Sequence, residues 1–148
     1  MTTTPQNTTE AIGATNEVAL ARHAIENLIA EYAHGADLRD RDRFAAVWHD
    51  DARWDLDGTE LTGIEAILAG LGGFWDAFAQ MFHVFGSISI AIDGDTATGE
   101  STVHAVLVDN DGRAKHAVGR YVDTYTRVDG RWGIATRTTT IGRLADLA

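Results

Sequence analysis

The apolar positions of this chain change period once. Over residues 18–34 they recur at helical spacing, with Ile25, Leu28, Ile29 and Tyr32 on one side, and Gly35 stands where the pattern stops, which predicts a first helix ending there. Asp40 is placed to cap a short second helix over 41–48. An alternating stretch over 52–56 then reads as a strand that turns at Asp57-Gly58. Thr62 and Glu65 have capping-box spacing, and Ile64, Ile67, Leu68, Leu71, Trp75 and Phe78 form the stripe of a third helix, weakened by Gly70, Gly72 and Gly73. After Phe82 the pattern is that of strands, over 84–92, 96–108, 114–127 and 131–141, separated by Asp93-Gly94, Asp111-Gly112 and Asp129-Gly130. Helices first and an antiparallel meander afterwards is an α+β order, because crossover helices between parallel strands are missing.

Composition narrows the function. A chain of 148 residues is the size of one domain. Residues 1–16 are polar, carry no basic start followed by an apolar run, and read as a disordered tail before a single domain over 17–148. No apolar run is long enough to cross a bilayer. A net charge of −10, spread along the chain, disfavours a nucleic-acid partner. Zero cysteines exclude disulfides, thiolate catalysis and cysteine-ligated metal, and fit a cytoplasmic location. No histidine pair has four-residue helical spacing, and no two-histidine-one-carboxylate group is visible, so no metal or other cofactor is expected.

The segment Phe44-Ala45-Ala46-Val47-Trp48-His49-Asp50-Asp51-Ala52-Arg53-Trp54 and the ending from Gly119-Arg120-Tyr121 to Asp129-Gly130-Arg131-Trp132, in this order of elements, resemble the SnoaL-like group of the nuclear-transport-factor-2-like superfamily. The resemblance covers residues 18–141. It implies a cone-shaped α+β barrel, with N-terminal helices packed in a strongly curved, mostly antiparallel sheet around one deep pocket. The group includes dehydratases, isomerases, cyclases and proteins that are not enzymes, so the fold alone leaves function open.

Within that resemblance, Asp37 and His83 fall where scytalone dehydratase and hexachlorocyclohexane dehydrochlorinase carry a catalytic aspartate and histidine. Bile-acid 7α-dehydratase shares the pair and adds a tyrosine matched by Tyr32. The chemistry is coherent: β-elimination needs a base for a carbon-bound proton, and imidazole, which titrates near 6.5, is available at neutral pH. Aspartate on the other ring nitrogen fixes the tautomer.

His104 lies on the strand where scytalone dehydratase has a second histidine; it is a candidate acid for a leaving oxygen, or a sheet histidine on an oligomer-facing side. The two tyrosines that hold water in scytalone dehydratase correspond here to Ala36 and Leu56, which argues against that particular substrate. Trp48, Trp54, Trp75 and Phe82 are expected to make an apolar, aromatic pocket, with Tyr121 on its wall. Arg137 either offers a cation to a leaving group or stands on the surface between threonines. His23, His34, His49 and His116 are expected to be exposed or structural.

The expected function is a metal-free, cofactor-independent lyase acting on a small, cyclic, largely apolar molecule, of dehydratase or dehydrohalogenase type. The alternatives are a non-catalytic small-molecule-binding domain, or an isomerase or polyketide-cyclase-type enzyme of the same fold. Val103, Ala105 and Leu107 with Val118 and Val122 place apolar side chains on both faces of long strands, which predicts a homodimer or homotrimer.

Overall fold

A computed structural model describes residues 5–147. The elements run α1 (Pro5–Asp37), α2 (Arg41–Ala45), β1 (Trp48–Leu56), β2 (Thr59–Thr62), α3 (Ile64–Ala77), β3 (Phe78–Asp93), β4 (Thr96–Asp109), β5 (Ala114–Val128) and β6 (Arg131–Asp146). The strands form one curved, unclosed sheet in the order β2-β1-β6-β5-β4-β3. Every neighbouring pair is antiparallel except β1 with β6, which is parallel. The α+β order expected from the change of period is the observed one.

Three local expectations are corrected. Gly35 does not stop α1, which continues to Asp37. A Cβ at position 35 would lie 2.6 Å from the backbone nitrogen of Phe44, so this glycine is where α2 presses onto α1. Thr62 does not cap α3: the N-cap is Gly63, with φ 83°, and Thr62 bonds Glu60 instead. Phe78 opens β3 rather than closing α3.

Asp40 does cap α2, accepting the Arg43 amide at 3.0 Å. The Asp57-Gly58 turn has positive φ at both residues, as a two-residue hairpin with right-handed strand twist requires.

The segment expected to be a tail is drawn into α1 from Pro5 onward; residues 1–4 lie outside the described residues. Residues 13–20 are all exposed, and Ala21 is the first buried residue among those whose side chains are described. Helix that buries so little apolar surface adds little to folding. Deleting residues 1–16 should therefore leave the melting temperature unchanged in a thermal scan. A loss above about 4 °C, on the order of 1 kcal/mol for a domain of this size, would show that the segment docks.

The core lies between helices and sheet. Tyr32, Phe44, Trp48 and Trp54 form its centre, with ring centroids 4.9 to 6.4 Å apart and tilted or edge-on contacts. Val103, Ala105 and Leu107 of β4 face this interior and are buried, whereas Val122 of β5 is 44% exposed on the opposite face.

Candidate active site

The C-terminal turn of α1 sets Tyr32 and Ala36 on one face, as four-residue spacing dictates, and ends on Asp37. That carboxylate reaches β3, which lies 46 residues further along the chain: Oδ2 accepts the backbone N–H of His83 at 2.8 Å, and Oδ1 is 2.6 Å from its Nδ1. An ionised carboxylate only accepts, so Nδ1 is the donor and the proton-free nitrogen of the neutral ring is Nε2. The two side chains are 10% and 16% exposed. The His83 ring stacks beside Phe85 and meets the Tyr32 ring edge-on, with centroids 6.4 and 6.1 Å away.

The cavity in front of His83 has an empty volume of about 590 Å³ counting its open mouth. Its walls are mostly apolar: Trp54 and Leu56 from β1, Leu71 and Phe74 from α3, Met81 from β3, Val103, Ala105 and Leu107 from β4, and Ile141 from β6. Polar groups enter from His83, Tyr32, Tyr121 and Thr139. The Tyr32 and Tyr121 hydroxyls are 3.3 Å apart, so one donates to the other and one phenolic proton is left over. Trp75 of α3 donates its indole N–H to the carbonyl of Ala36, and Arg39 donates to the carbonyls of Trp75 and Phe78. These bonds hold the end of α3 against the end of α1, beside the pocket.

Behind the two tyrosines lies a buried ion pair. Arg137 donates Nε and Nη2 to the two oxygens of Asp123, both at 2.8 Å, with side chains 0% and 2% exposed. Tyr125 donates to the same carboxylate at 2.6 Å. The guanidinium carbon stands 4.2 Å from the Tyr32 ring centroid and 4.3 Å from that of Tyr121. Burial disfavours the charge on Arg137, but Asp123 outweighs it and holds the guanidinium protonated, its pKa raised.

Burial pushes all three tyrosines upward, with the Arg137 charge opposing it at each. They are therefore neutral hydrogen-bond donors with a positive charge behind two of them. A spectrophotometric titration should show no phenolate in the folded protein as pH passes 10.0, the ordinary value. Since the unfolded chain loses those protons first, stability should fall as pH rises above that value. A tyrosine ionising normally in the native protein would contradict this arrangement.

Of the residues read from sequence, the structure brings Asp37, His83, Tyr32, Trp54 and Tyr121 together, and five expectations are corrected. Trp48 is packed in the core against Phe44 and Trp54 and does not reach the cavity wall. Phe82 is 53% exposed on the outer face of β3, and Met81 lines the pocket in its place. Adjacent strand residues point to opposite faces, so Phe82 and His83 cannot share a pocket. The apolar run at Phe82, Val84, Ile88, Ile90 and Ile92 suggests one buried phase, but a register shift between Gly86 and Ser89, with Ser87 at φ 48°, reverses it.

His104 is exposed for the same reason, between buried Val103 and Ala105, and its Nε2 lies 3.3 Å from Nδ1 of His116 rather than near the cavity. Trp75 turns its indole to the end of α1 and leaves the wall to Leu71 and Phe74. Arg137 is neither on the surface nor on the wall; it sits behind Tyr32 and Tyr121. His49 is structural, with Nε2 3.0 Å from the carbonyl of Thr126.

Two residues escaped the sequence reading. Asp123 lies between Tyr121 and Tyr125 on one face of β5, and strand alternation could have flagged a buried carboxylate in need of a cation. Thr139, directly opposite Tyr121 on β6, carries no sequence signal of its own. Among the described residues, no three His, Cys, Asp or Glu side chains converge as a metal site.

Comparison with known proteins places the architecture. A hexachlorocyclohexane dehydrochlorinase, LinA type 3 from Novosphingobium barchaimii, superposes with a TM-score of 0.84 at 22% identity, over 90% of this chain and 94% of that one. A Novosphingobium aromaticivorans protein provisionally assigned as a scytalone dehydratase gives 0.83 at 24% identity, over 90% and 92%. A single-residue variant of Rv3472 from Mycobacterium tuberculosis, a protein whose function is unknown, gives 0.81 at 26% identity, over 90% and 78%. No curated protein sequence matches this chain. The first two likenesses speak for the fold, a fold that includes lyases. The family model of the SnoaL-like domain matches residues 17–138, and the chain therefore belongs to the SnoaL-like domain family.

Proposed function

We propose that this protein is a lyase that eliminates a β-substituent from a small, cyclic, largely apolar molecule, with His83 as base and Asp37 as its orienting partner. The observation that carries this reading is the paired contact of Asp37 on the His83 backbone and ring, which leaves Nε2 as the free nitrogen of a histidine on the wall of an apolar cavity. A base there takes a carbon-bound proton, its electron pair becomes the new double bond, and the bond to the leaving group breaks. The Tyr32–Tyr121 pair, with Arg137 behind it, provides one free phenolic donor and positive potential for the departing group. No step requires a metal or an organic cofactor.

The lyase-type enzymes of the same fold, LinA among them, support the reaction class. The test is a screen of cyclic alcohols, hydroxyketones and halides, followed by mass spectrometry for loss of water or hydrogen halide, with His83→Ala as control. Elimination by the wild type and its absence in the variant are expected. Undiminished elimination by His83→Ala would refute the assignment.

A further inference from the structure

We propose that His104 and His116 form a binding site for a divalent transition-metal ion of the zinc type, on the outer face of the sheet and apart from the cavity. The site does not depend on the lyase reading. His104 belongs to β4 and His116 to β5, and the antiparallel register sets them on one diagonal, with His104 opposite Val118 and His116 opposite Val106. The ring centroids are 5.4 Å apart at an interplanar angle of 67°, and Nε2 of His104 stands 3.3 Å from Nδ1 of His116. The two residues are 12 apart in sequence, across a hairpin, so a search for helical four-residue spacing passes over them.

That separation is long for a hydrogen bond and right for a shared ion. An N–H donor and its acceptor usually close to about 2.7–3.2 Å. Two imidazole nitrogens bound about 2.0–2.1 Å from one tetrahedral zinc ion stand about 3.3–3.4 Å apart, as the tetrahedral angle requires. Each ring can supply the lone pair. A neutral imidazole has its proton on one nitrogen only, so His104 protonated at Nδ1 and His116 protonated at Nε2 turn a lone pair each toward the ion. Among the described residues neither histidine has an ion-pair partner or another hydrogen bond that would hold it away.

The surroundings select the kind of ion. The positions directly opposite the pair on the same face are Val84, Val106, Val118 and Ala145, so no cation competes there and no carboxylate is supplied. Imidazole without oxygen ligands suits zinc, copper or nickel rather than magnesium or calcium. Two nitrogens fill half of a tetrahedral shell, and water takes the two positions on the open side, where His104 is exposed. His83 is opposite Ala105, which is buried and on the cavity wall, so the ion and the proposed base lie on opposite faces of the sheet. The unfolded chain does not hold the two rings at this spacing. Ion binding therefore favours the folded state, tying β4 to β5 from outside.

The probe is zinc chloride, titrated into tag-free protein. Calorimetry should show one ion per chain. His104→Ala and His116→Ala should each weaken binding at least about ten-fold, the lower end of what even an outer hydrogen-bond partner of a metal ligand contributes. His83→Ala, which removes the free ring nitrogen of the cavity, should bind zinc as the wild type does. In nitrogen-15 spectra of the histidine rings, zinc should shift Nε2 of His104 and Nδ1 of His116, a readout taken on the wild type that needs no variant. The melting temperature of the wild type should rise with zinc concentration, and that of His104→Ala/His116→Ala should not.

Undiminished affinity in either single variant, zinc binding lost with His83→Ala, unmoved nitrogen resonances at positions 104 and 116, or no heat of binding in the wild type would overturn the proposal.

Discussion

Replacement of Asp37 by asparagine should lower turnover by about 10⁴-fold while substrate binding changes little, a magnitude seen when the aspartate of a hydrolase triad is neutralised in the same way. The geometry specifies why. Asp37 uses one oxygen for the His83 backbone N–H and the other for Nδ1. In the variant, the amide oxygen is retained by the backbone N–H, which must have an acceptor, and the NH₂ group is left facing Nδ1. That nitrogen must then accept, the ring proton moves to Nε2, and the nitrogen facing the cavity has no lone pair for the substrate. His83→Ala removes the base itself and should cost at least as much.

Both variants keep the apolar walls, so single-turnover kinetics and ligand titration should separate lost chemistry from retained binding. Wild-type turnover by Asp37→Asn would show that the carboxylate only fastens β3 to α1.

The second large effect concerns stability. Arg137→Met should destabilise the fold by about 3–5 kcal/mol, the range for removal of one partner from a buried ion pair. Asp123 would stay behind at 2% exposure with Tyr125 as its one side-chain donor among the described residues, and the tyrosine rings would lose the cation between them. Asp123→Leu/Arg137→Met, which leaves no buried charge, should recover much of that loss. Chemical denaturation of the single and double variants measures the difference. A single variant as stable as the wild type would mean that the pair contributes nothing to the fold. Where the double variant folds, its activity tests the second role of Arg137, because the tyrosine pair then lacks the positive charge behind it.

The sequence by itself determined the kinds of element and their order. The change from helical to alternating period, the Asp-Gly turns and the Asp40 cap are local signals, set by backbone preferences over a few residues, and the fold follows them. Its likeness to known enzymes also pointed to Asp37 and His83, which no local pattern connects across 46 residues.

Only the tertiary structure decided which side chains share the cavity. Alternation says that neighbours diverge, but the buried phase of β3 depends on the irregularity between Gly86 and Ser89, which leaves Phe82 outside and His83 inside. The same parity on β4 turns His104 away. Gly35 reads locally as a helix breaker, yet its role is set by a contact with Phe44 of the next helix. Arg137 between threonines looks like a surface residue until the β5–β6 register places Asp123 opposite it. Thr139 is held by the indole N–H of Trp54, 85 residues away in sequence. In each case the deciding interaction joins residues that are distant along the chain, where burial and charge pairing outweigh local preference.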